Sequence, residues 1–523
     1  MHETEVRVWG DLCDRLADKF GDKTAFVNID GAELSFAGFR TRVNQLNNAM
    51  AARDVRKGDR VAILAKNCTE YVETYGLAKS GVIVVPLNWR LTAAELLSLL
   101  RHCDPKMIIA DAQHMPMIEA LRAELGPVGL IGIGAAGAGW LSYEDLIAQA
   151  SSDQSVTAAE LTPDDIVCVM YTSGTTGAPK GVTITHRGVL GNARVSAEQV
   201  LHLTPDDRTL AAMPLFHVGG MWYHLHPSYA AGCTSVLMAG FDAAAVLDRL
   251  DCQAITNVHL VPTMISALLT DPHIGSTDLS KLRLIFYAAS SIPLELLKRA
   301  IGTFKGCAFI QSYGSTEAGM ITDLSAADHV KAIEGGRHDL LASCGRPVAG
   351  NAIWIANDDG DSLPAGQIGE ILIKGSSMMS HYWKDQAATR DATTDGWFRS
   401  GDLGYRDDDG YLYLVDRKND MIVTGGENVY PNEVEQILCQ DPAIELAAVF
   451  GVPDPVWVER VVAAVVLKSG AEASAETIIA RTRQHLAAYK CPKEIVLRTA
   501  LPMNAAGKIL KKDLKREFGG KST

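Results

Sequence analysis

The chain lacks paired cysteines. Its ten cysteines stand singly at 13, 68, 103, 168, 233, 252, 307, 344, 439 and 491, with no Cys-x-x-Cys among them. Neither a zinc site nor a disulfide framework is therefore expected, and a reducing compartment fits better. An excess of positive charge is also missing: 49 Lys and Arg face 62 Asp and Glu, a net charge of −13. That argues against a nucleic-acid or anionic-membrane surface while leaving room for a local basic pocket. No long apolar run exists either. The purest, Val461 to Leu467, is far too short to span a bilayer. The charged N-terminus is followed by no signal-like apolar region, and Gly-Gly-Lys-Ser-Thr523 matches no lipid or address signal. Internal repeats and extended low-complexity segments are absent as well. The expectation is a cytoplasmic protein without membrane span or nucleic-acid partner.

What is present is a long α/β pattern. With 523 residues, several domains or subdomains are expected. Asp59 to Ala65, Gly81 to Val85 and Lys106 to Ala110 read as buried strands separated by helices, a βαβαβ run and so a parallel sheet. Ser35 is placed to cap a helix carrying Phe39, Val43, Leu46 and Met50 on one face, and Thr92-Ala-Ala-Glu95 is a capping box. The pattern recurs near 208–240, 254–270 and 281–310. Tyr405 to Asp416 reads as a hairpin turning at Asp408-Asp-Gly410. About a hundred residues with strands and helices of their own follow the charged cluster Asp416 to Asp420. The expected fold class is α/β, with a large multi-subdomain N-terminal domain of mixed and parallel sheets (1–417). A small, mobile α+β domain (418–523) completes it.

The richest chemistry lies in Tyr171-Thr-Ser-Gly-Thr-Thr-Gly-Ala-Pro-Lys180-Gly181. Thr172, Ser173, Thr175 and Thr176 offer hydroxyls, Gly174 and Gly177 let backbone N–H groups converge, and Lys180 adds charge: a polyphosphate cradle. It is not the commoner phosphate loop, because the glycines are three apart and Val182 to Thr185 reads as strand rather than helix.

Six further motifs follow in order: Pro214-Leu-Phe-His217-Val, Gln311-Ser-Tyr-Gly-Ser-Thr-Glu317, Gly345-Arg-Pro347, Gly396-Trp-Phe-Arg-Ser-Gly-Asp402, Asp416-Arg417 and Pro502-Met-Asn-Ala-Ala-Gly-Lys508. Together with the loop, the chain resembles the adenylate-forming superfamily of acyl-CoA synthetases, luciferases and peptide-synthetase adenylation domains, along essentially its whole length. The resemblance implies ATP, Mg²⁺ and coenzyme A as cofactors and a two-step, AMP-forming carboxylic acid:CoA ligation. It assigns the 172–180 loop to the β- and γ-phosphates, Glu317 with Thr175 to Mg²⁺, and Thr316 to the α-phosphate. Tyr313 with Gly314 falls to the adenine, Asp402 and Arg417 to the ribose, and Lys508 to charge neutralisation during adenylation. Asn419 stands at the hinge position, where relatives usually carry Asp or Lys. Rotation there would bring Gly425 and Gly426 to the pantetheine tunnel, and Lys490 and Lys493 near CoA phosphates. Cys491 is expected to be inert.

His217 resembles the residue beside the substrate carboxylate, and no aspartate follows Phe216 to dock an ammonium group, which disfavours amino acids. No carrier domain is expected after 523, so free CoA is the expected acceptor. His224 and His226 have no acidic or cysteine company and read as structural. The acyl pocket is expected near Met221, Trp222, Ala288, Ala289, Ser290, Gly319 and Met320, with small residues at 288–290 and 314 leaving room. A medium- or long-chain fatty acid is the first expectation, an aryl or arylpropenoic acid the second. An acyl-AMP ligase serving a carrier protein, a luciferase-like oxygenase and a non-catalytic nucleotide binder are the rivals. A homodimer is compatible with all of them.

Overall fold

The computed structural model describes residues 6–154, 161–172, 180–289, 292–418, 420–503 and 509–519. Among these the strands form four sheets. Arg60–Leu64, Ile83–Pro86 and Met107–Asp111 lie side by side in a seven-stranded sheet, parallel as the βαβαβ pattern predicts. They read as unbroken apolar runs because helices cover both faces. Ser35 Oγ accepts the Gly38 N–H at 3.0 Å. The helix it caps buries Phe39, Val43, Leu46 and Met50. Thr92 and Glu95 close their capping box.

A nine-stranded sheet lies beside the first. Its centre holds the parallel strands Arg208–Ala211, Asn257–Leu260, Leu284–Ala288 and Ala308–Ser315. One edge turns antiparallel through Gly319–Leu324. Trp9, Phe26, Phe36, Phe39 and Tyr229 pack ring to ring at 5.0–6.4 Å, locking the N-terminal helices onto this sheet. A third, antiparallel sheet contains the expected hairpin, Trp397–Arg406 against Leu412–Arg417.

The smaller domain is built on Ile444–Asp454 antiparallel to Val458–Leu467. The apolar run 461–467 is explained here. Val461, Ala463 and Val465 face one cluster, with Val434, Leu438 and Ile478 from two helices. Val462, Ala464 and Val466 face another, with Leu514 from the terminal helix. A strand buried on both faces needs no polar alternation. A helix spans Ala475–Thr482. No helix among the described residues is long and apolar enough to cross a membrane.

Candidate active site

The two strands flanking residues 173–179 pair at their ends. Thr172 ends one strand, Lys180 begins the antiparallel next, and the two pair directly. Gly181 sits where a Cβ would meet Val169 at 2.8 Å and Trp383 at 3.1 Å, so only glycine permits this approach. Ser173, Gly174, Thr175, Thr176 and Gly177 lie outside the described residues, as do Ser290, Asn419 and Lys508.

Glu317 meets this hairpin from the nine-stranded sheet. It occupies the turn, with Thr316, between Ala308–Ser315 and Gly319–Leu324. Thr172 Oγ1 lies 3.5 Å from Glu317 Oε1, and the Tyr382 hydroxyl donates to the same oxygen at 3.2 Å. Lys180 Nζ sits 4.8 Å over the Tyr382 ring. Burial raises the Glu317 pKa against these hydrogen bonds and the nearby Arg417 charge. A carboxylate short of neutralising partners, beside hydroxyls, is a hard-oxygen donor set that suits Mg²⁺. No cluster of three or more His, Cys, Asp or Glu suited to a metal occurs among the described residues. The fit is thus to an ion that completes its shell with phosphates and water.

Asp402 and Arg417 stand opposite each other in the hairpin ladder, with Arg417 Nε 3.0 Å from Asp402 Oδ1. The buried Tyr313 hydroxyl donates to Asp402 Oδ2 at 2.6 Å. The Asp402 charge raises the Arg417 pKa despite burial. A carboxylate, a guanidinium and a phenol are thereby held at one point, beside the turn carrying Glu317.

His217 precedes a short helical turn, Val218–Gly220, that passes into a π-helical stretch, Met221–Leu225. Such wide turns recur at functional sites. Burial, helped by Arg90, lowers the His217 pKa and keeps the ring neutral. Trp222 packs edge-on against Tyr75 and His226, each at 5.1 Å, and both it and Met221 lie in the main core. Ala288 is buried at its strand end, while the exposed Ala289 takes φ +77°, a region unusual for alanine. The room expected at Gly314 is taken: a Cβ there would lie 2.6 Å from both the Gly319 oxygen and the Tyr223 hydroxyl. Gly319, at φ +71°, is likewise closed off by Ser377 at 2.7 Å. Their glycines serve close backbone approach rather than substrate volume.

Sequence reasoning missed three residues that hold this geometry. Tyr223 reaches the carbonyls of Ser315 and Gly319 at 2.7 and 2.8 Å, pinning the Glu317 turn. Asn192 donates to the Trp222 carbonyl at 2.6 Å and accepts the Met320 N–H at 3.1 Å, tying helix to sheet. Tyr382 supports Glu317. Each acts across a long sequence separation, which no local motif signals.

In the smaller domain Gly425 (φ +61°) and Gly426 (φ +86°) form the two-residue turn between Thr424 and Glu427. Left-handed dihedrals at both positions define a type I′ hairpin. The Trp457 ring lies over Gly425, and the Trp457 carbonyl accepts the Gly425 N–H at 2.8 Å. Lys490 is paired with Glu433 at 2.7 Å, and Lys493 reaches the Ala488 carbonyl at 3.2 Å. Near Asn419 in sequence, Asp416 accepts the Asn432 N–H at 2.8 Å, and Lys418 pairs with Asp358 at 2.9 Å.

Comparison with known proteins agrees with this arrangement. The AMP-binding enzyme family matches residues 13–383, and the AMP-binding enzyme C-terminal domain matches 433–508. The indoleacetate–CoA ligase of Aromatoleum aromaticum is 36% identical over 504 residues, covering 96% of each chain. The long-chain-fatty-acid–CoA ligase FadD13 of Mycobacterium tuberculosis is 34% identical over 490 residues, covering 93% of each. The crystal structure of the anthranilate CoA ligase AuaEII with anthranoyl-AMP superposes with a TM-score of 0.89 at 30% identity, covering 99% of this chain and 98% of that one. With a buried carboxylate turn and a Tyr–Asp–Arg cluster on this fold, and both family models matched, there is one conclusion: the chain belongs to the AMP-binding enzyme family and is an AMP-forming acyl-CoA synthetase.

Proposed function

We propose that the chain ligates an aromatic or arylpropenoic carboxylic acid to coenzyme A. The supporting observation is the wall that follows His217. Trp222, Tyr75 and His226 pack there as buried rings, and both His226 nitrogens have no partner among the described residues. An alkyl chain laid there would leave the His226 ring nitrogens unsatisfied, at about 1–3 kcal/mol apiece. An aromatic acid stacks on such rings and brings polar atoms of its own. This ranks the aryl acid above the fatty acid that the sequence placed first. The names of the indoleacetate and anthranilate relatives point the same way, and that of the fatty-acid ligase points the other.

In the first step the substrate carboxylate oxygen attacks the α-phosphorus of ATP, the bond to the β-phosphate oxygen breaks, and pyrophosphate leaves. On this reading the 172–180 loop and Lys180 bind the departing phosphates, and Thr316 donates to the α-phosphate. Lys508 is the cation that offsets charge between carboxylate and phosphorus. Glu317, with Thr175, would hold Mg²⁺, which when bound neutralises phosphate charge. Tyr313 borders the adenine, and Asp402 with Arg417 takes the ribose hydroxyls. A neutral His217 flanks the carboxylate without repelling or trapping it. In the second step the CoA thiol sulfur attacks the acyl carbon, AMP departs, and the thiol proton is lost to solvent. A boundary at 417/418, a pivot at Asn419 and entry of Gly425–Gly426 to the thiol path belong to the same proposal. So do a cytoplasmic setting and, where it forms, a homodimer.

AMP release should be measured with ATP and CoA across aliphatic acids from C2 to C18, benzoates, arylacetates and cinnamates. A CoA-dependent peak among the aromatic acids is expected. A peak confined to C8–C18 acids would overturn the aromatic reading, and pyrophosphate release indifferent to CoA would move the acceptor to another thiol.

A further inference from the structure

The strand Asn257–Leu260 presents alternate side chains to opposite faces. Val258 and Leu260 enter one core cluster, while Asn257 and His259 face the helices that follow His217. Asn257 is fully engaged. Its Oδ1 receives His224 Nε2 at 2.8 Å and Thr209 Oγ1 at 3.1 Å, and its Nδ2 donates to Thr256 Oγ1 at 3.2 Å.

His259 is different. Its Nδ1 lies 3.0 Å from the Gly219 carbonyl oxygen. A carbonyl only accepts, so Nδ1 carries the ring proton and Nε2 is left as a bare lone pair. The side chain is 1% exposed, and Nε2 has no partner among the described residues. Burial first, then the neighbouring His224, holds its pKa well below the ordinary histidine value, so protonation does not relieve the orphaned nitrogen.

The surroundings of that ring are aromatic. Nε2 is a ring atom remote from the backbone, bonded to Cε1. Cε1 in turn lies 3.2 Å from where a Cβ on Gly219 would stand. Between ring centroids, His259 lies 4.5 Å from Phe286 and 5.8 Å from His224. Phe286 pairs with His259 in the sheet and lies two residues before Ala288 at the strand end. Glycine at 219, two residues past His217, is what lets the imidazole edge approach this segment.

We propose that His259 Nε2 accepts a hydrogen bond from an N–H or O–H on the ring of the substrate acid, making His259 a specificity residue for donor-bearing aromatic acids. The proposal rests on the aromatic-acid reading above. It selects a heteroaryl N–H or a phenolic O–H over an isostere that lacks the donor, because the isostere leaves a buried acceptor unpaired.

The test uses the full-length enzyme and matched pairs: an indolyl acid against its N-methyl and benzothiophene counterparts, and a hydroxyaryl acid against the unsubstituted ring. In the wild type, kcat/KM from pyrophosphate release should favour the donor-bearing member by about tenfold or more. His259→Asn keeps the Gly219 hydrogen bond through its amide N–H but deletes Nε2. It should bring the ratio near one by losing rate on the donor-bearing acid, with the donor-free acid changed less than about threefold. His259→Gln, whose amide oxygen reaches further, should recover part of the preference. Turnover of the donor-free acid reports folding for either variant. A wild-type ratio near one, or a ratio preserved in His259→Asn, overturns the role of His259 and leaves the aromatic reading standing. Activity on fatty acids alone overturns the aromatic reading itself.

Discussion

Three of the imidazoles buried in the larger domain set an acid limit that can be worked in numbers. Burial lowers His186 and His224 to about 4 and His226 to about 3, from an ordinary 6.5. Each folded-state value lies below the unfolded one, so the unfolded chain binds protons more readily. The stability tied to each neutral ring is complete above pH 6.5 and is lost as the pH falls toward the folded value. A tenfold difference in proton affinity between the two states is worth about 1.36 kcal/mol, so at pH 5 the loss is about 2 kcal/mol per ring. Three rings give about 6 kcal/mol, a large part of the roughly 5–15 kcal/mol that stabilises a domain. The informative perturbation is His226→Leu. Neither nitrogen of His226 has a partner among the described residues, so no described hydrogen bond is sacrificed. At pH 7 the variant should match or exceed the wild type. Between pH 7 and 5 it should lose about 2 kcal/mol less. Urea unfolding followed by tryptophan fluorescence reads this directly, because Trp222 lies 5.1 Å from His226 and Trp9 shares its core. An identical pH 7-to-5 difference in variant and wild type would refute the reasoning.

Other expectations follow from the site. Lys508→Ala should abolish acyl-AMP formation from acid and ATP yet largely spare thioester formation from supplied acyl-AMP; equal loss of both would remove its assigned role. Tyr313→Phe deletes a 2.6 Å hydrogen bond to a carboxylate. At about 1.5–3 kcal/mol for such a bond, the KM for ATP should rise about tenfold or more with kcat little changed, as initial rates over an ATP series would show. Tyr223→Phe leaves two carbonyls of the Glu317 turn without their hydroxyl. A loss of about 1 kcal/mol in stability and a several-fold fall in kcat are expected, by calorimetry and pyrophosphate release.

Much of the fold was legible because its signals are local. Ser35 and the Thr92–Glu95 box announce their helices, Asp408-Asp-Gly410 announces its hairpin, and apolar runs announce buried parallel strands. The site was legible only where one motif carries one group. Gly314 shows the limit: small residues read alike whether they make space or surrender it. Here Tyr223, ninety-odd residues away, had already filled the space. Trp222 shows another, since a single aromatic letter does not say whether its ring lines a pocket or packs on Tyr75. His259 carried no signal at all, because its tautomer depends on a carbonyl forty residues distant.

The ladder that sets Asp402 against Arg417 has a consequence for chain length. That ladder carries one unpaired residue, Val415, as a bulge between the Leu403–Asp416 and Gly404–Leu414 pairs, and losing it would slip Arg417 out of register with Asp402. The turn at the exposed Asp408 and Asp409 can absorb an insertion, whereas the six residues after Tyr411 carry that bulge and that register. Their number is a functional quantity, and relatives that preserve the Asp–Arg pair should vary the letters of this segment far more freely than its count.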